Sequence, residues 1–216
     1  MVAIDTNSPT AVNIVLMDDR ERMGTISSIC VYCGSRFGNE QDFRTLAQEL
    51  GAELAGRKLR LIYGGGHVGL MGQLADAALS AGGEVIGIIP QFLHDREVGH
   101  QNLSELHVVP DMHSRKKMMF DLSDAFVALP GGIGTLDETI EIMTWGQLRQ
   151  HAKPIVALDH NNYWQLFSDL LEQIVAQGFA DRNIFDLIHF APNLNDMFAY
   201  LDKVPATLAP THSERL

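Results

Sequence analysis

The chain has 216 residues, of which 46% are hydrophobic and 20% charged, and its 16 basic and 27 acidic side chains give a formal net charge of −11. That length and balance suit one well-filled globular core, and the acidic surplus argues against a general nucleic-acid or anionic-membrane binder, because those partners need a basic field. No apolar run approaches the ~18 residues that span a bilayer, and the first turns of chain carry Asp5, Asp18, Asp19, Arg20, Glu21 and Arg22 with no signal-peptide core, so a cytoplasmic protein without membrane contact is expected.

Residues 1–25 lack clear periodicity and read as a mobile extension. Residues 26–203 read as a single domain and 204–216, with Pro205 and Pro210, as a second mobile end. Within the domain, apolar strand-like runs at 26–33, 59–63, 84–89, 106–109, 125–129 and 155–158, with a shorter candidate at 187–190, alternate with helical patterns at 40–55, 68–80, 112–123, 135–149 and 164–177. Nearly all-apolar strands separated by helices imply an α/β protein built on a Rossmann-like, doubly wound parallel sheet with helices on both faces. Ligands in that architecture bind beyond the carboxyl ends of the strands.

The first strand contains Cys30 and Cys33 in C-x-x-C spacing. Positions i and i+3 of a strand point to opposite faces, so the pair is expected neither to bridge nor to share a metal. The next strand runs into Gly64-Gly65-Gly66-His67-Val68-Gly69, a literal match to the dinucleotide fingerprint and the main argument for an NAD(P)-dependent oxidoreductase. The fingerprint also wants an acid at the far end of the following strand. Here Glu84 opens that strand and Ile89-Pro90-Gln91 closes it, so the loop is read as close helix-to-sheet packing and a wall of the pocket.

Asp111 stands where it can cap a helix that opens Met112-His113-Ser114-Arg115-Lys116-Lys117. Cations at a helix N-terminus oppose the macrodipole by about a few tenths of a kcal/mol unless an anion offsets them. Lys117 has Asp121 one turn on. Arg115 shares its stripe with Met118, Met119 and Leu122, which turns its guanidinium toward the core, where it needs a partner: a structural ion pair or a functional group.

The run 125–129 then breaks at Pro130 into Gly131-Gly132-Ile133-Gly134, and a helical pattern follows, with Thr135 placed to cap it and Glu138 three residues later. A strand, a glycine loop and a helix N-terminus aim free N–H groups and a positive dipole end at a common point, which favours phosphate. Glu138 has two readings. Spacing alone favours a capping box with Thr135, and the alternative is a carboxylate doing chemistry beside a phosphate. His67, His94, His100, His107 and His113 have no ligand spacing that would suggest a metal.

Together these residues resemble the Lonely Guy family of cytokinin-activating phosphoribohydrolases, whose members were often labelled lysine decarboxylases. The resemblance spans roughly residues 26–200 and rests on CGS (33–35), YGGGHVGLMG (63–72), DMHSRK (111–116) and PGGIGTLDE (130–138). It implies hydrolysis of the N-glycosidic bond of a purine nucleoside 5′-monophosphate, preferably an N6-prenylated adenosine monophosphate, to free base and ribose 5-phosphate, with no cofactor or metal. Carried over by position, Arg115 and Glu138 are the catalytic pair. Gly131, Gly132, Gly134 and Thr135 hold the phosphate within a substrate-binding stretch that includes Ile133, Leu136 and Asp137. Glu97, Lys116 and Thr144 line the nucleotide pocket, and Ser35 closes it. Ile133 replaces a frequent aromatic residue and Asp137 a frequent Glu. The resemblance also implies a homodimer or larger homo-oligomer. A nucleotide carrier without turnover remains the alternative on the same fold. A pyridoxal-phosphate decarboxylase would need a Schiff-base lysine, for which only Lys116 and Lys117 lie near the pocket.

Overall fold

The computed structural model describes residues 25–204. Of the two expected mobile ends, 1–25 and 204–216, all but Thr25 and Val204 lie outside the described residues. In chain order the elements are β1 (Ser28–Tyr32), α1 (Asp42–Gly56), β2 (Arg60–Tyr63), α2 (Gly69–Ser80), β3 (Val85–Pro90), α3 (Gln91–Leu93), β4 (Glu105–Val109), α4 (Met112–Asp121), β5 (Ala125–Ala128), α5 (Ile133–Gln147), β6 (Ile155–Leu158), α6 (Gln165–Ala176), β7 (His189–Ala191) and α7 (Leu194–Leu201). A π-helical turn, His94–Val98, continues α3, and short 3₁₀ turns occupy His160–Asn162 and Arg182–Leu187.

The seven strands form one sheet in the order β4-β3-β2-β1-β5-β6-β7, every pair parallel. Ile29 of β1 stands beside Leu61 of β2 on one side and Ala125 of β5 on the other. The chain winds outward from β1 to β4, then returns to β1's free side, so the carboxyl ends of β1 and β5 flank the point where winding reverses. Crossover loops diverge there and leave a crevice.

Both faces of the sheet are covered. Ile29, Val31 and Cys33 pack in the layer that holds Leu50, Leu74 and Met197, while Cys30 and Tyr32 pack in the opposite layer with Met119, Phe126, Ile142 and Trp164. The expected alternation of the two cysteines is therefore observed: both thiols are free and buried, one in each layer, and burial raises the pKa of both. Neither is poised as a thiolate.

Element ends shift by a residue or two from expectation, and three departures stand out. The last strand is His189–Ala191, because residues 182–187 coil into a 3₁₀ turn. Helix α7 adds to the expected helices, and its cap is regular, with the Asn193 side chain accepting from the Asp196 amide at 2.9 Å. The third difference, at the start of α5, bears on the site. Among the described residues no helix is long and apolar enough to cross a membrane.

Candidate active site

Two loops meet at the crevice. The Gly34 amide donates to Pro130 O at 3.1 Å and the Leu70 amide to Gly34 O at 3.0 Å, which binds the turn after β1 to the glycine turn after β5 and to the start of α2. The resulting cleft, about 630 Å³, is walled by Ser35, Arg36, Phe37, Met71, Arg115, residues 130–135, Glu138 and Tyr163.

Helix α5 begins at Ile133, two residues earlier than its sequence pattern suggests. Gly132, extended at φ −92° and ψ −158°, takes the N-cap position with no side-chain cap, and the first intrahelical bond is Leu136 N to Gly132 O at 3.1 Å. Thr135 consequently sits inside the first turn, buried against Gly131, where a Cβ would stand 2.1 Å from its Oγ1. The expected capping box between Thr135 and Glu138 is not formed. Its physical basis is gone because Glu138 lies a full turn beyond the N-terminus and Thr135 does not occupy the cap. The amides of Ile133, Gly134 and Thr135 precede the first helical bond and have no capping side chain, so the positive end of α5 opens on the cleft.

Glu138 instead faces Arg115. Asp111 caps α4 as expected, accepting from the Ser114 amide at 2.7 Å. One turn on, Arg115 is buried, its Nη1 lying 3.0 Å from Glu138 Oε1 while its Nε donates to Ile88 O at 3.2 Å. The planar fork thus joins the end of β3 to α5. Burial raises the pKa of Glu138 and Arg115 lowers it, with burial the larger effect, so the carboxyl titrates above the ordinary glutamate range.

The glycines of 64–69 are explained by this pair and by the neighbouring loop. A Cβ at Gly64 would stand 2.1 Å from Arg115 Nη2. One at Gly69, whose φ is +61°, would stand 2.3 Å from the Ser35 carbonyl carbon. The protein's own arginine and backbone fill the space that a dinucleotide pyrophosphate would need, and Glu84 pairs with Arg60 at 3.2 Å at the opposite end of the sheet. The packing reading of this loop holds, but residues 64–69 do not form the expected wall of the cleft, because the Arg115 guanidinium and the Ser35–Arg36 backbone stand against them; the oxidoreductase reading loses its main support.

Ser35, Gly131, Gly132, Ile133, Gly134 and Thr135 are brought to the same cleft as Arg115 and Glu138. Lys116, Leu136, Asp137 and Thr144 are not. Lys116 Nζ lies 3.0 Å from Glu141 and 3.3 Å from Asp137, lacing α4 to α5 beside the Arg115–Glu138 pair. Burial works to lower its pKa, but the hydrogen bonds to Glu141 and Asp137 outweigh that and raise it, the reverse of what a Schiff-base lysine requires. Leu136 packs against the core layer that holds Met119 and Trp164, and the exposed Thr144 donates its hydroxyl to Ile140 O at 2.7 Å. The Glu97 side chain lies outside the described part of the structure.

Arg36, Phe37, Phe43, Met71, Leu93 and Tyr163 line the cleft without having been singled out in the sequence. Arg36 adjoins the CGS motif and was the most accessible of these. Its guanidinium is exposed and has no carboxylate partner among the described residues, unlike Arg115 and Lys116.

The family described as "Possible lysine decarboxylase" matches residues 71–201. The chain is 47% identical over 156 residues to the cytokinin riboside 5′-monophosphate phosphoribohydrolase of Rhodococcoides fascians, covering 72% of this chain and 79% of that one. It is 42% identical over 178 residues to one of the same name from Arabidopsis thaliana, covering 82% and 84%. The molybdenum cofactor binding protein of Rippkaea orientalis superposes with a TM-score of 0.62 over 81% of this chain and 94% of its own; at 22% identity that likeness concerns the fold. With its four motifs, its buried Arg–Glu pair and these relatives, the chain belongs to the Lonely Guy family of phosphoribohydrolases, the group that also carries the lysine-decarboxylase label.

Proposed function

We propose that this protein hydrolyses the N-glycosidic bond of N6-modified adenosine 5′-monophosphates, releasing the free cytokinin base and ribose 5-phosphate. The observation that carries the reading is a buried carboxylate, Glu138, held by Arg115 on the wall of a cleft into which the uncapped amides at the start of α5 open. The amides and Arg36 receive the 5′-phosphate, which leaves the ribose within the cleft beside Glu138.

Cleavage of the bond between the purine and ribose C1 builds positive charge on C1 and the ring oxygen. A fixed carboxylate in a water-poor wall stabilises that charge without reorganising. Glu138 also orients the water whose oxygen bonds to C1; the purine leaves with the electron pair of the broken bond and gains one proton, the attacking water gives up one, and the sum is one water consumed. Arg115 is always charged and serves to hold Glu138 ionised and in line. The apolar wall of Phe37, Phe43, Met71 and Leu93 provides room for a base with a hydrocarbon substituent.

Catalytic roles for Arg115 and Glu138, phosphate contacts from residues 131–135, and assembly into a homodimer or larger homo-oligomer all belong to this proposal. Incubation with adenosine monophosphate and its isopentenyl form, followed by chromatography, is expected to yield free base and ribose 5-phosphate from both. Nucleotide bound but recovered intact would replace the hydrolase with a carrier. Because a remote phosphate supplies binding energy that positions the ribose, the matching nucleosides are expected to lose kcat as well as affinity.

A further inference from the structure

One wall of the cleft is closed by a residue that no motif marks. Tyr163 lies between the turn His160–Asn162 and α6, and its hydroxyl donates to the carbonyl oxygen of Gly131. The ring is held edge-on by Phe43 of α1 and by Trp164, with centroids 5.6 Å and 5.4 Å away. Trp164 is itself buried, and its amide donates to Asp159 Oδ1 at 2.6 Å. An anchored ring therefore presents the hydroxyl.

What that hydroxyl grips is the peptide of the glycine loop that joins Gly131 to Gly132. A peptide unit is planar with its C=O and N–H opposed, so fixing Gly131 O fixes the direction of Gly132 N–H. Glycines on both sides remove the side-chain barriers that resist rotation of such a plane. Packing restrains it on one side only: Gly131 is held close, a Cβ there standing 2.1 Å from Thr135 Oγ1, whereas a Cβ at Gly132 would meet nothing within 4 Å, and α5 has no side-chain cap to hold its start. Turning this plane would point a carbonyl oxygen where the phosphate needs a donor.

We propose that Tyr163 is a positioning residue of the 5′-phosphate site, its hydroxyl holding the Gly131 carbonyl so that the Gly132 amide is preset for the substrate phosphate beside the uncapped amides of α5. The inference rests on the phosphoribohydrolase reading and deepens it. Tyr163 touches the loop and acts through it, lowering the population of loop conformers that must be abandoned when phosphate binds.

The test is Tyr163→Phe, which keeps the ring and its contacts with Phe43 and Trp164. Loss of one neutral hydrogen bond is expected to raise the Kd for ribose 5-phosphate and the KM for the monophosphate about 3- to 10-fold, with kcat altered less than about twofold. The melting temperature should not move. Replacing Tyr163 with 4-aminophenylalanine, which restores a donor at the same place, should return both constants toward wild type and provides the comparison if Tyr163→Phe folds poorly. Unchanged constants in Tyr163→Phe overturn the proposal. So does an equal loss toward monophosphate and nucleoside accompanied by a lower melting temperature, because that marks a packing role. A wild-type protein that binds ribose 5-phosphate without releasing base fails the parent reading alone, and the Kd comparison still decides Tyr163. A wild-type protein that does not bind ribose 5-phosphate overturns both.

Discussion

Replacing Glu138 with Gln separates a catalytic carboxylate from a structural one. The amide has nearly the same volume, and no helix cap is lost, because Gly132 rather than Thr135 stands at the N-cap of α5. Arg115 keeps its bond to Ile88 O at 3.2 Å and retains an oxygen acceptor at position 138, now neutral, in place of the carboxylate at 3.0 Å. Removing one member of a buried pair outright costs about 3–5 kcal/mol. With an acceptor preserved and the burial penalty on the Glu138 charge relieved, the expected destabilisation is about 2 kcal/mol or less, or about 4–8 °C in a chain of this size. Catalysis should suffer far more. Loss of a preorganised charge that stabilises a transition state is expected to lower kcat by ~10²-fold or more. Affinity for ribose 5-phosphate should stay within about threefold, since the proposed phosphate contacts are the amides at the start of α5 and Arg36 rather than Glu138. Steady-state kinetics on isopentenyladenosine monophosphate, thermal melting and calorimetric titration with ribose 5-phosphate read these three quantities separately. Near-normal turnover with only a lower melting temperature would refute the reasoning and leave Glu138 a structural partner of Arg115.

Arg115→Lys keeps the charge but loses the fork that reaches Ile88 O and Glu138 together, so turnover is expected to fall at least ~10-fold, and equal activity would show that any cation suffices there. The acid limb of the pH–rate profile should have its midpoint above the ordinary glutamate value of 4.5, because burial raises the Glu138 pKa and activity needs the ionised form; a midpoint at or below that value would contradict the site. The same shift has the opposite sign for stability: Glu138's contribution is present in full below 4.5 and is lost as pH rises through the higher folded value, measurable as a difference in melting temperature between wild type and Glu138→Gln across that window. Arg36→Ala removes the exposed guanidinium at the cleft and should raise KM for the monophosphate several-fold, roughly the worth of one charge-assisted contact, and flatten its salt dependence, with little change toward the nucleoside.

Local periodicity in the sequence determined that the sheet is parallel, the succession of strands and helices along the chain, and the direction in which key side chains point. The apolar runs that became β1, β2, β5 and β6 are short and nearly unbroken, which requires burial on both faces. Alternation in β1 separated Cys30 from Cys33, and the stripe Arg115-Met118-Met119-Leu122 turned Arg115 inward. The site motifs were also legible, because a glycine turn between strand and helix has few physical purposes.

Tertiary structure alone decided which residues meet. Glu138 reads as a capping-box member until the helix is seen to start at Ile133, since a glycine N-cap leaves no side-chain signal in the sequence. The partner of Arg115 comes from a different crossover, and the glycines that make room for that arginine look identical to those of a dinucleotide loop until the guanidinium is found within 2.1 Å of a Cβ at Gly64. Lys116, one residue from Arg115, turns away from the cleft to bind Asp137 and Glu141, because consecutive residues of a helix face about 100° apart. Tyr163 lies far from the glycine loop in sequence, and only the adjacency of β5 and β6 in the sheet carries its hydroxyl to Gly131. Side-chain direction is a local property of the chain, whereas contact between two directed side chains depends on the order in which the strands are laid down.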